Sequence, residues 1–308
     1  SKAPLKVLVY VMPTTSEKTG ELYTAMMKYF ETETFQWMAI PTVETDGKIE
    51  DIVSWVKSQR DNNNFMIKAV LPNADSADCE GIINWTSKLY KDETSDNGDN
   101  TVTITRKTYT AEQGTPRIAG ILAGTDVTIS ATYAPLKDFD DVERLDPEAR
   151  NTAVGAGKLL GFWDGEKVKL DRAVTSFVTT TGVKGDSFKK VKLVENMDMI
   201  KSDIQTTIQD SYIGKYANSY DNKCLLITAI NGYFQTLVND GTAEIDIQTQ
   251  RTYLESLGKD VTVNGEMKKP ADLSDDEVKV ANTGSHVFLH ATVVLLDAIE
   301  DVSLTINV

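Results

Sequence analysis

Two nearly unbroken apolar runs, Leu5–Met12 and Phe65–Leu71, place the tightest limit on the fold. Runs of that length without alternation belong to strands covered on both faces, which is the environment of a parallel sheet between helices. The residues between them fit the same plan. Leu22, Ala25, Met26, Tyr29 and Phe30 form a helical stripe within residues 16–31, and Ile49, Ile52, Val53 and Val56 form another within 47–60. Trp37–Ile40, ended by Pro41, reads as a short strand, and 81–86 as a further one. Strand and helix alternating over short connections predict a small open α/β sheet.

The middle of the chain is more broken. Residues 91–100 (KDETSDNGDN) read as an exposed acidic loop before an alternating strand over 101–109. A short helix is expected around 116–123, with Gly124 just past its end, and residues 126–133 read as extended. Asp146-Pro147-Glu148 is a helix start, and Asp164-Gly165 between two apolar runs predicts an inserted β-hairpin with a two-residue turn. Beyond residue 170 helices dominate. Val194, Met197, Ile200, Ile204, Ile208 and Tyr212 mark one long amphipathic helix, and Leu225, Leu226, Ala229, Ile230, Tyr233, Phe234 and Leu237 a second. Asp246 is placed to cap a third that Gly258 ends, and Ser274 with Glu277 fits a capping box. The organisation expected is an α/β domain over 1–170 and an α+β domain over 171–308, so α+β overall.

The chain closes on two further strand patterns, 287–296 and 302–308, joined by the acidic stretch Asp297–Asp301. Val302, Leu304, Ile306 and Val308 alternate with polar residues and give one apolar face, as Val287, Leu289, Val293 and Leu295 do on the preceding run. Such a terminal strand needs a sheet to join. By pattern alone that sheet is either its own chain's, as a closing hairpin, or a neighbour's, by strand addition.

Net charge is −14. A surface that acidic opposes contact with nucleic-acid phosphates or an anionic membrane. No stretch approaches the ~18 apolar residues of a membrane span, and no signal peptide is visible. Cys79 and Cys224 lie far apart without metal spacing and read as two thiols. The two histidines, His286 and His290, have no third ligand nearby, and no nucleophile elbow, zinc-protease or phosphate-loop motif occurs. Acid clusters at Asp138–Glu143 and Asp275–Glu277 lack calcium-loop spacing and read as solvated faces. No catalytic residue, metal or cofactor is expected. The acids Asp297, Glu300 and Asp301 read the same way, as a solvated turn, or else meet a basic patch, Lys189, Lys190 and Lys192, of a neighbouring copy. A small-ligand or hydrolytic α/β protein, using strand ends near Met12–Thr15, Pro41 and Pro72, is the alternative.

Several runs carry a family resemblance. They are Asp171–Phe177, Phe188–Glu195, Ser211–Lys215, Tyr220–Leu226, Ala243–Asp246, Gln250–Leu254, Ala281–Ser285 and Leu296–Asp301, with Leu8–Tyr10, Glu80–Asn84 and Arg117–Thr125 earlier. In this order they resemble contractile tail sheath proteins, above all sheaths of diffocin-like, phage-tail-like bacteriocins and related Gram-positive myophages. The resemblance covers nearly the whole chain. It implies a structural subunit that polymerises as stacked rings around a tail tube, between baseplate and tail terminator. The sheath then contracts to drive the tube through a target envelope, without a nucleotide. It implies a virion or tail-like particle assembled from protein made in a bacterial cytoplasm. It also implies a terminal arm, about 286–308, exchanged with neighbouring subunits, with Gly284, Asp297, Glu300 and Asp301 as hinge positions. Sheath proteins carry residues ahead of the strand matching Lys6–Val11, and this sequence is expected to lack that segment.

Overall fold

A computed structural model of the chain describes residues 2–13, 19–96, 101–237 and 240–306. They form two compact units. One comprises Ser1–Asp198 together with Ala298–Val308, and the other Met199–Asp297.

The first unit opens with α1 (Thr19–Phe30), β1 (Trp37–Ala39), α2 (Ile49–Asn62), β2 (Lys68–Pro72) and β3 (Ile82–Trp85). It continues through β4 (Leu89–Asp96), β5 (Val102–Tyr109), α3 (Ala111–Ala123), β6 (Asp141–Val142), α4 (Pro147–Gly155) and β7 (Lys158–Leu159). The strands β8 (Gly161–Trp163) and β9 (Val168–Leu170) follow, and then the first turns of α5 (Val191–Ser211). A four-stranded parallel sheet runs β1–β2–β3–β7. Every residue of β2 and β3 is buried, as the unbroken apolar runs require. Ala69, Leu71 and Ile82 face α1 and α2 through Tyr23, Met26, Ile52 and Val56. Val70, Ile83 and Trp85 face α3 through Ile118, Ile121 and Leu122. Gly114 of α3 lets Trp85 in: a Cβ there would lie 2.9 Å from the indole nitrogen.

Leu5–Met12, expected as a central strand, is not one. Leu8, Tyr10 and Met12 pack on the α1–α2 core while Leu5, Val7, Val9 and Val11 are exposed. A strand buried on both faces needs a layer over each; this run has only the helical layer. Residues 91–96, expected in a loop, belong to β4, which pairs with β5 along its whole length. Their polar side chains suit an exposed ribbon because they pair across it: Arg106 reaches Asp92 at 2.8 and 2.9 Å and lies over Tyr90. The expected loop's last residues, 97–100, lie outside the described ones. Residues 126–133 turn rather than extend, because the Asp126 carboxylate accepts from the Thr128 N–H and hydroxyl. The β8–β9 hairpin forms, with a four-residue connection instead of two. Asp164 Oδ1 accepts from the N–H groups of Glu166 and Lys167 and folds the loop onto itself.

A buried charge cluster ties the start of α5 to the sheet. Arg60 donates twice to Asp198 at 2.8 Å, and Lys68 reaches Asp198 at 2.9 Å and Glu195 at 3.0 Å. Arg60 also lies 3.5 Å from Glu80, which Lys184 approaches at 2.9 Å. The Lys68 side chain is 1% exposed and that of Asp198 8%.

The second unit contains the rest of α5, then α6 (Tyr220–Leu237), β10 (Asp240–Ile245), α7 (Ile247–Ser256), β11 (Val261–Val263), β12 (Glu266–Lys268), α8 (Asp275–Val280) and β13 (Leu289–Val294). The expected caps are in place: Asp246 accepts from the Thr249 N–H, and Ser274 and Glu277 form a reciprocal box. Two elements escaped the sequence reading. β10 is one. The other is the β11–β12 hairpin, turned by Asn264-Gly265 with φ of 52° and 83°, a sequence signal that stands in plain view. Cys79 and Cys224 are both free thiols. The compact units part inside α5 after Asp198, whereas the sequence reading divides the chain at 170/171.

Candidate assembly interface

The second unit holds a two-stranded antiparallel sheet, β10–β13, in register from Asp240 opposite Val294 to Ile245 opposite Leu289. One face lies on the α5–α6 pair. Leu289, Val293 and Leu295 pack with Ile200, Leu226, Ile230, Phe234 and Ala243. Of the apolar set assigned to assembly on this run, three residues thus serve their own chain's core, and Val287 is exposed. The opposite face carries His290, Thr292 and Val294, all exposed. Among the described residues the sheet has no third strand. The outer edge of β10 is capped at its centre by Asn231, whose side-chain amide accepts the Ala243 N–H at 2.6 Å and donates to the Ala243 carbonyl at 3.3 Å, so the open edge is that of β13.

Among the described residues no hairpin joins 287–296 to 302–306; β13 pairs with β10. The acidic stretch does not reverse the chain; it carries it back onto the first unit. There Glu300 is held in a polar nest, its side chain 9% exposed. Ser130 Oγ donates to Glu300 Oε1 at 2.9 Å and Thr132 Oγ1 at 2.6 Å, while Lys190 Nζ lies 3.4 Å from Oε2. Next to it, Arg172 makes a two-pronged pair with Asp301, one contact being 2.8 Å from Nη1 to Oδ2. That pairing holds the Asp301 carboxyl below the usual Asp range and the guanidinium above its own ordinary value.

The basic patch read from the sequence is expected on a neighbouring copy. Lys190 does meet Glu300, but within one chain. Lys189 pairs with Asp186 at 2.9 Å instead, and Lys192 is buried. Of the hinge positions, Gly284 has a φ of 64°, and Asn218 Nδ2 donates to its carbonyl at 2.8 Å and to that of His286 at 3.0 Å. Asp297 closes the second unit. Glu300 and Asp301 are fastened rather than free to swing. Ser130, Thr132 and Arg172 are the residues that sequence reasoning missed. They lie 129–170 positions from their partners, and no local motif announces that pairing.

After Asp301 the described residues are unpaired. Residues 302–306 form no strand and no backbone hydrogen bond among the described residues, and Val302, Leu304 and Ile306 are 79%, 79% and 74% exposed. Val308 lies outside the described residues. One chain thus carries both an exposed, period-2 apolar segment and a sheet whose β13 edge has no further strand among the described residues.

The chemistry of small-molecule sites is poorly served elsewhere. The two best-formed pockets among the described residues hold about 10 and 60 Å3 and lie away from Pro41 and Pro72. Ligand sites usually offer roughly 300–1,000 Å3. Among the described residues no three His, Cys, Asp or Glu side chains converge on a metal position.

Comparison with known proteins agrees with this geometry. The family model described as phage tail sheath protein central domain matches residues 16–176, and that of the phage tail sheath C-terminal domain matches 183–308. The chain belongs to the phage tail sheath protein family. It is 33% identical over 288 residues to the tail sheath protein of Clostridium phage phiCD119, covering 92% of this chain and 74% of that protein. In fold it is similar to a sheath tail protein of Desulfitobacterium hafniense, with a TM-score of 0.62 at 24% identity. That match covers 74% of this chain and spans only 54% of the other. It is also similar to the PVC sheath of an extracellular contractile injection system in its contracted state, with a TM-score of 0.60 at 12% identity over 92% of this chain and 74% of the other.

Proposed function

We propose that this chain is a structural subunit of a contractile tail sheath, which polymerises around a tail tube and shortens to drive that tube through a target cell envelope. The observation that carries the reading is a pair of surfaces: an unpaired apolar tail at 302–306 and the open edge of β13. Each would satisfy the other between copies, because an extended segment adds to a sheet edge through main-chain hydrogen bonds. On this reading Val302, Leu304, Ile306 and Val308 form the donated face. Val287, Leu289, Val293 and Leu295 lie on or beside the receiving strand, which stays on its own core, and the tail is the segment that swings. Neighbouring sheath subunits, the tube protein, the baseplate and the terminator are the partners, in a virion tail or tail-like particle built in the bacterial cytoplasm. The subunit is not an enzyme. The free energy of contraction is a difference in interface free energy between two packings of the same copies.

Deleting Val302–Val308 tests this. The truncated protein is expected to keep its folded-state circular dichroism and to form no striated tubes by electron microscopy. Tubes of normal appearance from the deletion would refute strand donation.

A further inference from the structure

The acidic pair at the root of the tail is built into a receptor that nothing in the sequence announces. Both hydroxyls of the nest are already committed as acceptors. Ser130 Oγ takes the Thr132 N–H at 3.1 Å, and Thr132 Oγ1 takes the Ala173 N–H at 3.0 Å. Each hydroxyl has one proton; that of Thr132 is directed at Glu300 at 2.6 Å, and that of Ser130 lies between Glu300 Oε1 at 2.9 Å and Thr132 Oγ1 at 3.0 Å. A carboxylate in reach of two hydroxyls and a lysine, and itself nine-tenths buried, is anchored by charge-assisted hydrogen bonds. Asp301 adds the guanidinium fork of Arg172, a planar match that fixes direction as well as distance.

From this we infer that Glu300 and Asp301 are a clip that stays on its own chain, and that only the residues from Val302 onward are offered to a second copy. This rests on the sheath reading above, and it divides the terminal arm in two. Leu296–Asp301 leads back to the first unit and is fastened there; Val302–Val308 is the part exchanged. The division also moves the pivot: the tail turns about Asp301 while Glu300 remains seated, so the acidic stretch is a fixed post and not a loose joint.

The test is a linkage experiment on mixed copies. The full protein carrying Tyr133→Cys and Ile299→Cys, exposed neighbours of Thr132 and Glu300 that leave the clip intact, is made in isotopically heavy and light forms, mixed, assembled into tubes and treated with a short bis-maleimide. Linked peptides are then read by mass spectrometry, which also sets aside any product at Cys79 or Cys224. Links between 133 and 299 that are only heavy–heavy or light–light are expected, both before and after assembly. Heavy–light links at 133–299 would overturn the clip, because they mean that the acidic pair is exchanged along with the strand. Loss of the link on assembly would overturn it as well. A second variant guards against a misleading result from the cysteines. Glu300→Leu in the same background is expected to lower the 133–299 link yield in the unassembled protein at least about tenfold, the scale of removing a charged hydrogen-bond set. An unchanged yield would show that the nest does not hold the tail. If the protein without substitutions forms no tubes at all, the sheath reading fails, and the links in the isolated chain still decide the clip.

Discussion

The sheet β1–β2–β3–β7 and the sheet β10–β13 are finished to different degrees. The first lies between helical layers, with Ala69, Leu71 and Ile82 buried on one side and Val70, Ile83 and Trp85 on the other. The second has helices on one face only, an exposed outer face on β13 and, among the described residues, a β13 edge with no further strand. Polar groups follow the same division. In the first unit even the charges of Arg60, Lys68, Asp198 and Glu80 are taken out of water and paired; along the tail the apolar side chains of Val302, Leu304 and Ile306 are left in it. A chain that completes one region and leaves another incomplete keeps stability and association apart: the first region can hold its shape while the second changes partners.

That separation can be broken by experiment, because all four tryptophans (Trp37, Trp55, Trp85 and Trp163) lie in the first unit. Their fluorescence reports on that unit alone. The largest effect is expected from Asp198→Ala, which strands the buried charges of Arg60 and Lys68. Removing one partner of such a cluster costs about 3–5 kcal/mol, so the urea midpoint read by tryptophan should fall steeply. An unchanged midpoint would show that the cluster does not hold the first unit.

Acid comes next. Burial alone would raise the Glu80 carboxyl pKa, but Lys184 and Arg60 outweigh it and hold it below the usual Glu range. A depressed folded-state value means that its stabilisation is complete above the unfolded Glu value of about 4.3 and is lost as pH falls through the lower, folded one. Glu80→Gln should therefore flatten the acid limb of the tryptophan-detected stability profile. In the second unit, Lys268 and the Ser274 cap bring Glu277 down to about 2. Glu277→Gln should leave the tryptophan profile alone, and a matching change would mean that the two units melt as one.

A smaller effect belongs to the caps. Ser274→Ala removes one half of the α8 box at a cost of about 1 kcal/mol. It should appear in the far-ultraviolet circular dichroism of unfolding and leave the tryptophan midpoint where it is. The smallest is Arg106→Ala on the exposed β4–β5 ribbon. Surface pairs such as Arg106–Asp92 contribute little, because water screens them. A cost of several kcal/mol, measured in urea, would show the ribbon to be part of the first unit's core rather than an appendage to it.

The sequence went furthest where burial imposes a period. The parallel strands β2 and β3, the helices α1, α2, α5 and α6, and the caps at Asp146, Asp246 and Ser274 were all legible, because side-chain spacing and capping chemistry act within a few residues. Short-range signals also misled. Leu5–Met12 has the composition of a central strand but lacks a second layer, and 91–96 has the composition of a loop but gains cross-strand partners. Both outcomes depend on what lies opposite, which local composition does not encode.

By itself the sequence determined a parallel α/β core, a helical second half, an apolar period-2 tail, and enough ordered motifs to suggest the sheath family that the comparisons established. Only the tertiary structure decided where the acidic stretch goes. The family resemblance makes Glu300 and Asp301 hinge positions, and their charge alone reads as a solvated turn. They are held instead because Ser130, Thr132, Arg172 and Lys190, far away along the chain, are brought to one spot by folding. Charge type can be read from the sequence; the partner that fixes a charge in place is chosen by the fold.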